Sequence, residues 1–339
     1  MTFGTVSFGY ALGEPVDIGV AVRELSDDVE RILGYGYRTV HRAADGEGVT
    51  DLGVRAAQEA LAKAGIAADE IDLIVFAPTD VPEYLYWDPS ASLQWRLGAR
   101  RAQALLLNQA CTAGLAGLDI IAGRFATQPD CRTALLVAGN RTCEAYWNRV
   151  ATQSMVFSDG AAAAVVRRDH PRLRWLASDA VTDGRYADFY LLDVGGTAQP
   201  FTPARAGQGQ PVARDAWDIM EFFDYDDERF AEFVTLINTR ALDIVNRACK
   251  RVGATASDLK RLITSHDNVR STTSLAETFG LPVTATNVEI GAATGHLGSA
   301  DQLYSLGTLV EAGELAPGDL VALVGLGRGM HWACTIIET

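Results

Sequence analysis

The chain has 339 residues, a formal net charge of −14 and 48% hydrophobic residues. Its length exceeds the usual size of one small domain, so two core units are expected. The acidic balance argues against a nucleic-acid partner and against anchoring to an anionic membrane surface, and the hydrophobic content excludes a disordered or fibrous protein.

The N-terminal residues, the lengths of the apolar runs and the cysteine spacing bear on the expected location of the protein and on disulfide or metal sites. Residues 1–5 show no basic flank leading into an apolar signal core, and no apolar run reaches the roughly 20 residues of a membrane span. We therefore expect a cytoplasmic protein. The chain has five cysteines, an odd number, and none of them shows C-x-x-C spacing. Neither a disulfide framework nor a metal site is therefore predicted.

Short apolar runs alternate with amphipathic stretches, which predicts an α/β architecture. In chain order, helices are predicted at residues 50–64 and 229–252, each followed by a glycine in the position of a C-terminal cap. Strands are predicted at residues 73–77, 134–138, 161–166, 262–264 and 320–324.

One combination of elements occurs in both halves of the chain. Residues 57–75 and residues 244–264 each read as a helix, a glycine stop, an acidic turn and a buried strand. This correspondence predicts a duplicated core, although a helix, a glycine and a strand also follow one another in unrelated α/β proteins.

The segment around Cys111 is the first candidate for chemistry. An apolar run at residues 105–107 leads to Cys111, and small residues with a helical pattern follow. A cysteine at a strand-to-helix junction lies where backbone N–H groups and the positive end of the helix dipole stabilise a thiolate, which is the nucleophilic form. Glycines beside it allow a substrate to approach closely.

Residues 108–114, Asn-Gln-Ala-Cys-Thr-Ala-Gly, resemble the nucleophile segment of the thiolase superfamily, particularly the ketoacyl-acyl-carrier-protein synthase III group. Further blocks agree in order, at residues 36–43, 71–79, 157–165, 265–270 and 325–332. The resemblance implies the α/β thiolase fold, with duplicated βαβαβ halves in a five-layered α-β-α-β-α arrangement. We place the halves at residues 1–170, with the nucleophile, and 171–339, with two catalytic histidines.

The resemblance also implies roles for individual residues. Cys111 is the expected nucleophile and His266 the first catalytic histidine. The third position is asparagine in most synthase III enzymes but His296 here, within a Gly-His-x-x-Gly pattern that is similar to thiolases and elongating synthases. Two imidazoles can donate hydrogen bonds to a thioester carbonyl or an enolate, and one can act as a base.

Two further departures from the family concern the surroundings of these residues. The oxyanion hole is expected to consist of the backbone N–H groups of Cys111 and of Arg328, which stands where the family has glycine. The family's His-Gln-Ala-Asn segment is one residue shorter here, His-Asp-Asn, and its Asn268 is expected to support the site.

Members of the family take acyl groups from coenzyme A or from the phosphopantetheine of an acyl carrier protein, with no tightly bound cofactor. The family's tryptophan for stacking the coenzyme A adenine has no counterpart before Trp87, so the donor stays open. An acidic enzyme needs a basic face to meet an acidic carrier protein. The basic candidates for either donor are Arg38, Arg149, Lys250, Arg251, Lys260 and Arg270. A homodimer is expected.

Three functions are compatible with these residues. The first is decarboxylative condensation of an acyl-Cys111 thioester with a malonyl-type thioester, in fatty-acid or polyketide-type specialised metabolism. The second is transfer of the same acyl group to a hydroxyl or amine of a natural product. The third, a non-catalytic partner subunit, is disfavoured because all three catalytic positions are retained.

Overall fold

The computed structural model describes residues 2–146, 148–150, 152, 154–192, 195–200 and 220–339. The strands are β1 (Phe3–Leu12), β2 (Glu14–Asp17), β3 (Thr39–Arg42), β4 (Leu73–Pro78), β5 (Gln103–Leu106), β6 (Thr133–Asn140), β7 (Gly160–Arg168), β8 (Arg174–Thr182), β9 (Leu259–Ile263), β10 (Leu320–Gly327) and β11 (His331–Glu338). The α-helices are α1 (Ile18–Leu25), α2 (Val29–Leu33), α3 (Val49–Ala64), α4 (Pro89–Leu97), α5 (Ala113–Thr127), α6 (Asp227–Arg251), α7 (Val269–Thr278), α8 (Val288–Thr294) and α9 (Asp301–Glu311).

All five predicted strands and both predicted helices are present, with ends shifted by a few residues. The helix ends follow local chemistry. Gly65 adopts a left-handed conformation, with φ of 63°, and closes α3. The Asp226 carboxylate accepts hydrogen bonds from the N–H groups of Glu228 and Arg229 and so begins α6.

The main sheet has the strand order β5-β4-β6-β7-β1-β8-β11-β10-β9. In its first part β5, β4 and β6 are parallel and β7 and β1 follow antiparallel; in its second part β9 and β10 are parallel and β11 and β8 follow antiparallel. A parallel bridge from Leu262 to Thr286 takes the place that β5 has in the first part. The predicted duplication is therefore confirmed. The boundary between residues 170 and 171 falls between β7 and β8 and remains a prediction.

Five layers follow from how the helices bury their apolar faces. One core cluster joins α5 and α9 to both parts of the sheet, so this helical layer lies between them. A second cluster packs α3 and α4 on the outer face of the first part, and a third packs α6 on the outer face of the second part. In the described part of the chain, no helix combines the length and the apolar character required to cross a bilayer.

Candidate active site

The predicted nucleophile lies in a tight turn between β5 and α5. Residues 110–112 form a single 3-10 turn, and α5 begins at Ala113. Ala110 has a φ of 48°, in the left-handed region that residues with a side chain seldom adopt. Cys111 is partly exposed and lies directly before the first turn of a 15-residue helix. The positive end of that helix dipole favours a negative charge on the sulfur or on a bound oxyanion.

His296 reaches Cys111 from the second half of the chain. The distance between Cys111 Sγ and His296 Nε2 is 3.2 Å. The backbone of His296 is fixed by the first half, because its N–H donates to Val156 O and its carbonyl accepts from Ser158 N–H, both at 2.8 Å. The Phe157 ring packs edge-on against the imidazole, with the ring centroids 5.0 Å apart. The site is therefore assembled from both halves.

Asp301, the first residue of α9, orients His296. Its Oδ2 atom lies 2.5 Å from His296 Nδ1, and both side chains are fully buried. Asp301 also accepts hydrogen bonds from the N–H groups of Leu297 and His266, each at 2.7 Å. Because a carboxylate can only accept at His296 Nδ1, that nitrogen carries the proton and Nε2 is directed to the sulfur. Cys111, His296 and Asp301 form a hydrogen-bonded triad.

The charges within the triad stabilise one another. Burial alone lowers the pKa of His296, but Asp301 and Cys111 together raise that pKa well above its ordinary value. Burial raises the pKa of Asp301, while His266 and His296 lower it by more. The site therefore favours a protonated His296 between two groups that accept negative charge.

His266, the other predicted catalytic histidine, has no described contact with Cys111, although its Nδ1 lies 3.2 Å from Oδ1 of Asp301. Its Nδ1 lies 2.9 Å from the Gly295 carbonyl oxygen, and its Nε2 lies 2.7 Å from Ser305 Oγ. Since a carbonyl can only accept, Nδ1 donates and Nε2 accepts from the hydroxyl. Burial lowers the pKa of His266, which agrees with a neutral ring. The structure thus brings His296 to Cys111 and leaves both ring nitrogens of His266 engaged with protein groups.

Residues around this pair complete the wall of the site. Asn268 Oδ1 accepts from Ser271 N–H at the start of α7, and its Nδ2 donates to Ser154 O, so its side chain fixes the turn after His266. Asp267 is half-buried, and burial raises the pKa of its carboxyl to about 6. Burial is the largest cause that raises the pKa of Tyr190, and electrostatic interactions with Asp267 and Cys111 raise it further.

Arg328, the predicted second oxyanion residue, lies in the turn after β10 beside the nucleophile turn. A Cβ added to its neighbour Gly327 would lie 2.7 Å from Thr112 Oγ1 and 2.8 Å from Gln109 O. Only glycine allows this approach of the two turns. The Arg328 guanidinium donates to the Thr79 carbonyl at 2.8 Å.

One of the basic donor-binding candidates is buried, which corrects the sequence interpretation. The Arg149 side chain is 1% exposed and pairs with Asp159 at 3.1 Å and with Glu144 at 2.5 Å. It also donates to the carbonyl groups of His41 and Phe157. Arg149 is therefore part of the interior and cannot meet a carrier protein. The sequence offered no indication that Asp159 would be its partner.

The remaining basic candidates lie at two separate places. Lys250 and Arg251 end α6, and Lys260 is the second residue of β9, so most of the length of β9 separates them from His266. Arg251 is additionally paired with Asp179. Arg270 is exposed in the first turn of α7, two residues after Asn268. Arg38 is exposed and pairs with Glu289 of α8 at 2.9 Å. Only Arg38 and Arg270 lie on elements adjoining the site.

Models of one family match this chain in two places. The 3-oxoacyl-[acyl-carrier-protein] synthase III model matches residues 107–184, and its C-terminal model matches residues 249–339. Cys111 lies in the first match, and His266, His296 and Asp301 lie in the second. The chain belongs to the ketoacyl-acyl-carrier-protein synthase III-like family of the thiolase superfamily.

Full-length similarity supports this membership. The beta-ketoacyl-[acyl-carrier-protein] synthase III of Synechocystis sp. is 28% identical over 303 residues, which cover 89% of this chain and 87% of the relative. The solved 3-oxoacyl-(acyl carrier protein) synthase III of Pseudomonas aeruginosa PAO1 superposes with a TM-score of 0.80 at 25% identity, covering 100% and 98% of the two chains. A solved acyltransferase, ChlB3, has the same fold, with a TM-score of 0.83 at 22% identity and coverage of 100% and 98%. The first two of these relatives are named as synthases III, which are transferase-type enzymes, and the third is named as an acyltransferase.

Proposed function

We propose that this enzyme accepts an acyl group on Cys111 from a thioester and transfers it to a hydroxyl or an amine. The observation that carries the proposal is the triad, in which one imidazole contacts the sulfur and a buried carboxylate orients that imidazole. This is the arrangement of an acyl-transfer enzyme with a nucleophile, a general base and an orienting acid.

In the loading step, the Cys111 thiolate forms a C–S bond to the acyl carbonyl, and the bond from that carbonyl to the donor sulfur breaks. His296 gives its Nε2 proton to the departing thiolate. The raised pKa of His296 supports a resting state in which the imidazolium holds this proton on Nε2, facing Cys111. The backbone N–H groups of Cys111 and Arg328, at the start of α5 and after β10, would hold the oxyanion of the tetrahedral intermediate.

In the transfer step, neutral His296 takes the proton of the acceptor hydroxyl or amine through Nε2. The acceptor oxygen or nitrogen forms its bond to the acyl carbon, and Cys111 leaves as a thiolate beside the regenerated imidazolium. Asp301 stays ionised throughout and stabilises the imidazolium. Burial raises the pKa of Asp301, but the two histidines lower that pKa by more.

Decarboxylative condensation is the second candidate, favoured by the name that the full-length relatives carry. It requires hydrogen-bond donors for the enolate oxygen of the malonyl-type thioester. Two imidazoles would serve, but both ring nitrogens of His266 are engaged, with Gly295 and Ser305. Transfer to a heteroatom needs one imidazole acting as a base and therefore suits the described geometry better.

Intact-protein mass spectrometry tests the acyl-enzyme on which both candidates depend. The protein is incubated with a panel of acyl thioesters on coenzyme A and on a carrier protein. We expect one acyl equivalent on the wild type and none on Cys111→Ala, and we expect alcohols or amines to discharge the adduct as an ester or amide. Absence of any adduct with every donor would favour the non-catalytic subunit instead.

The donor is proposed to bind on the face that carries Arg38 and Arg270. Each of these exposed guanidinium groups can bind a phosphate of the phosphopantetheine arm or of coenzyme A. The double variant Arg38→Ala/Arg270→Ala is expected to raise the donor KM about tenfold. The matched variant Lys250→Ala/Lys260→Ala changes two cations at the far end of β9 and should leave that KM unaltered. The reverse pattern would place the donor on the surface that carries Lys250 and Lys260 and would contradict the proposal.

A homodimer is proposed along the outer edge of the sheet. Strand β5 is the terminal strand there, and its Leu106 is exposed, as is Trp95 on the neighbouring α4. Exposed edge strands with apolar side chains pair readily with another chain. Sedimentation equilibrium should give twice the chain mass for the wild type and a single chain mass for Leu106→Lys; a monomeric wild type would contradict the proposal.

A further inference from the structure

The Arg328 side chain has more hydrogen-bonding capacity than its described surroundings use. The guanidinium is half-buried and donates to the Thr79 carbonyl through Nη2. Among residues 2–146, 148–150, 152, 154–192, 195–200 and 220–339, no carboxylate lies within 4.0 Å of it and no further hydrogen bond is formed. A guanidinium carries five N–H donors, and removing such a cation from water without an acceptor is costly.

The residue that carries this cation follows a glycine packed against the nucleophile turn. Gly327, the preceding residue, packs closely against Gln109 and Thr112, which flank Cys111 in the nucleophile turn. Thr79, which receives the guanidinium hydrogen bond, follows β4, and its Oγ1 accepts from Ser299 N–H at 2.6 Å in the segment between His296 and Asp301. Arg328 therefore spans from the nucleophile turn to the segment that carries the general base.

Asp80, whose charge interacts with that of Arg328, forms no ion pair with it in the described part of the chain. Asp80 follows Thr79 and accepts from Val81 N–H at 2.8 Å. Burial raises the pKa of Asp80, and the opposing charge of Arg328 lowers it by less.

We propose that Arg328 selects acyl groups whose chain bears a hydrogen-bond-accepting oxygen, above all a carboxylate, close to the thioester. The inference rests on the proposed acyl-Cys111 intermediate and assigns its substrate class. A carboxylate on the acyl chain can accept two parallel hydrogen bonds from the guanidinium. A purely alkyl chain would bury the same cation without supplying an acceptor, so the site discriminates against it.

The test compares acyl groups with the same four-carbon backbone. Succinyl-CoA, 3-hydroxybutyryl-CoA and butyryl-CoA are offered to the wild type, Arg328→Met and Arg328→Lys, and the rate of adduct formation at Cys111 is followed by intact mass. We expect the wild type to load succinyl or 3-hydroxybutyryl at least about tenfold faster than butyryl. Arg328→Met should abolish that ratio, and Arg328→Lys should retain part of it.

The readout is the ratio between substrates, so a general loss of activity in a variant does not imitate the expected result. Both substitutions keep the backbone N–H of residue 328, and thermal unfolding of each variant verifies that it is folded. Equal loading of the three acyl groups by the wild type, or a preference that Arg328→Met leaves unchanged, would overturn the inference. Failure of the wild type to load any acyl group would instead overturn the proposed acyl-enzyme.

Discussion

Asp301→Asn is expected to lower kcat/KM for acyl transfer by about three to four orders of magnitude. The wild-type carboxylate accepts a hydrogen bond from the Nδ1–H group of His296 at 2.5 Å and so directs Nε2 to Cys111. An asparagine amide can present its NH2 group to Nδ1, which favours the tautomer with the proton on Nε2. That imidazole cannot accept a proton from the thiol or from an acceptor hydroxyl.

Two glutamine substitutions distinguish the role of His296, the proposed base, from that of its neighbour His266. Both His296 and His266 are buried and both contact Asp301. His296 does so through Nδ1 at 2.5 Å, and His266 does so through its backbone N–H at 2.7 Å and through its Nδ1 at 3.2 Å. His296→Gln should abolish transfer, whereas His266→Gln should cause a smaller loss, through the position of the loop. Steady-state kinetics, with unfolding curves to confirm the fold, give the comparison. A fall in kcat/KM of less than tenfold in Asp301→Asn would contradict the proposed role of the triad. Equal losses of kcat/KM in the two glutamine variants would also contradict it.

Arg149→Met is expected to lower the free energy of unfolding by about 3–5 kcal/mol. The substitution leaves Asp159 without its buried partner, and that carboxylate is itself 1% exposed. Within the described part of the chain, Asp159 then keeps two donors, the N–H groups of Thr142 and Ala43, at 2.8 and 2.9 Å. A charge buried with incomplete compensation is among the most destabilising changes in a protein interior.

Chemical denaturation of two comparison variants tests the cause of that loss. Arg149→Met/Asp159→Asn removes both charges and should recover part of the lost stability. Arg251→Met removes a 55% exposed cation whose partner Asp179 retains Arg247, so it should cost less than about 1 kcal/mol. A loss of under 1 kcal/mol in Arg149→Met would show that the buried pair contributes little.

The nucleophile and the fold could be predicted from local sequence, because both depend on patterns contiguous in the chain. Cys111 stands in a strand-to-helix motif, and the repeat of helix, glycine and strand corresponds to the two related parts of the sheet. His296 was found through its Gly-His-x-x-Gly pattern. These signals need no knowledge of distant contacts.

The roles of the residues around Cys111 depend on contacts between distant segments, which local sequence patterns do not encode. The engagement of His266 with Ser305 joins positions 39 residues apart. Asp301 was missed, although an acidic residue at the start of a helix, five positions after a candidate base, is a signal that could have identified it. The burial of Arg149 depends on Asp159, a partner that charge counting alone does not reveal.

The most direct measurement is the fate of a preformed acyl-enzyme. Wild-type protein loaded at Cys111 is freed of excess donor and mixed with an alcohol or amine panel in one portion and with a malonyl thioester in another. Ester or amide formation is followed in the first portion and carbon dioxide release in the second. The triad predicts discharge to the heteroatom acceptor without carbon dioxide. Discharge that requires the malonyl thioester and releases one carbon dioxide per acyl group would contradict it and establish condensation.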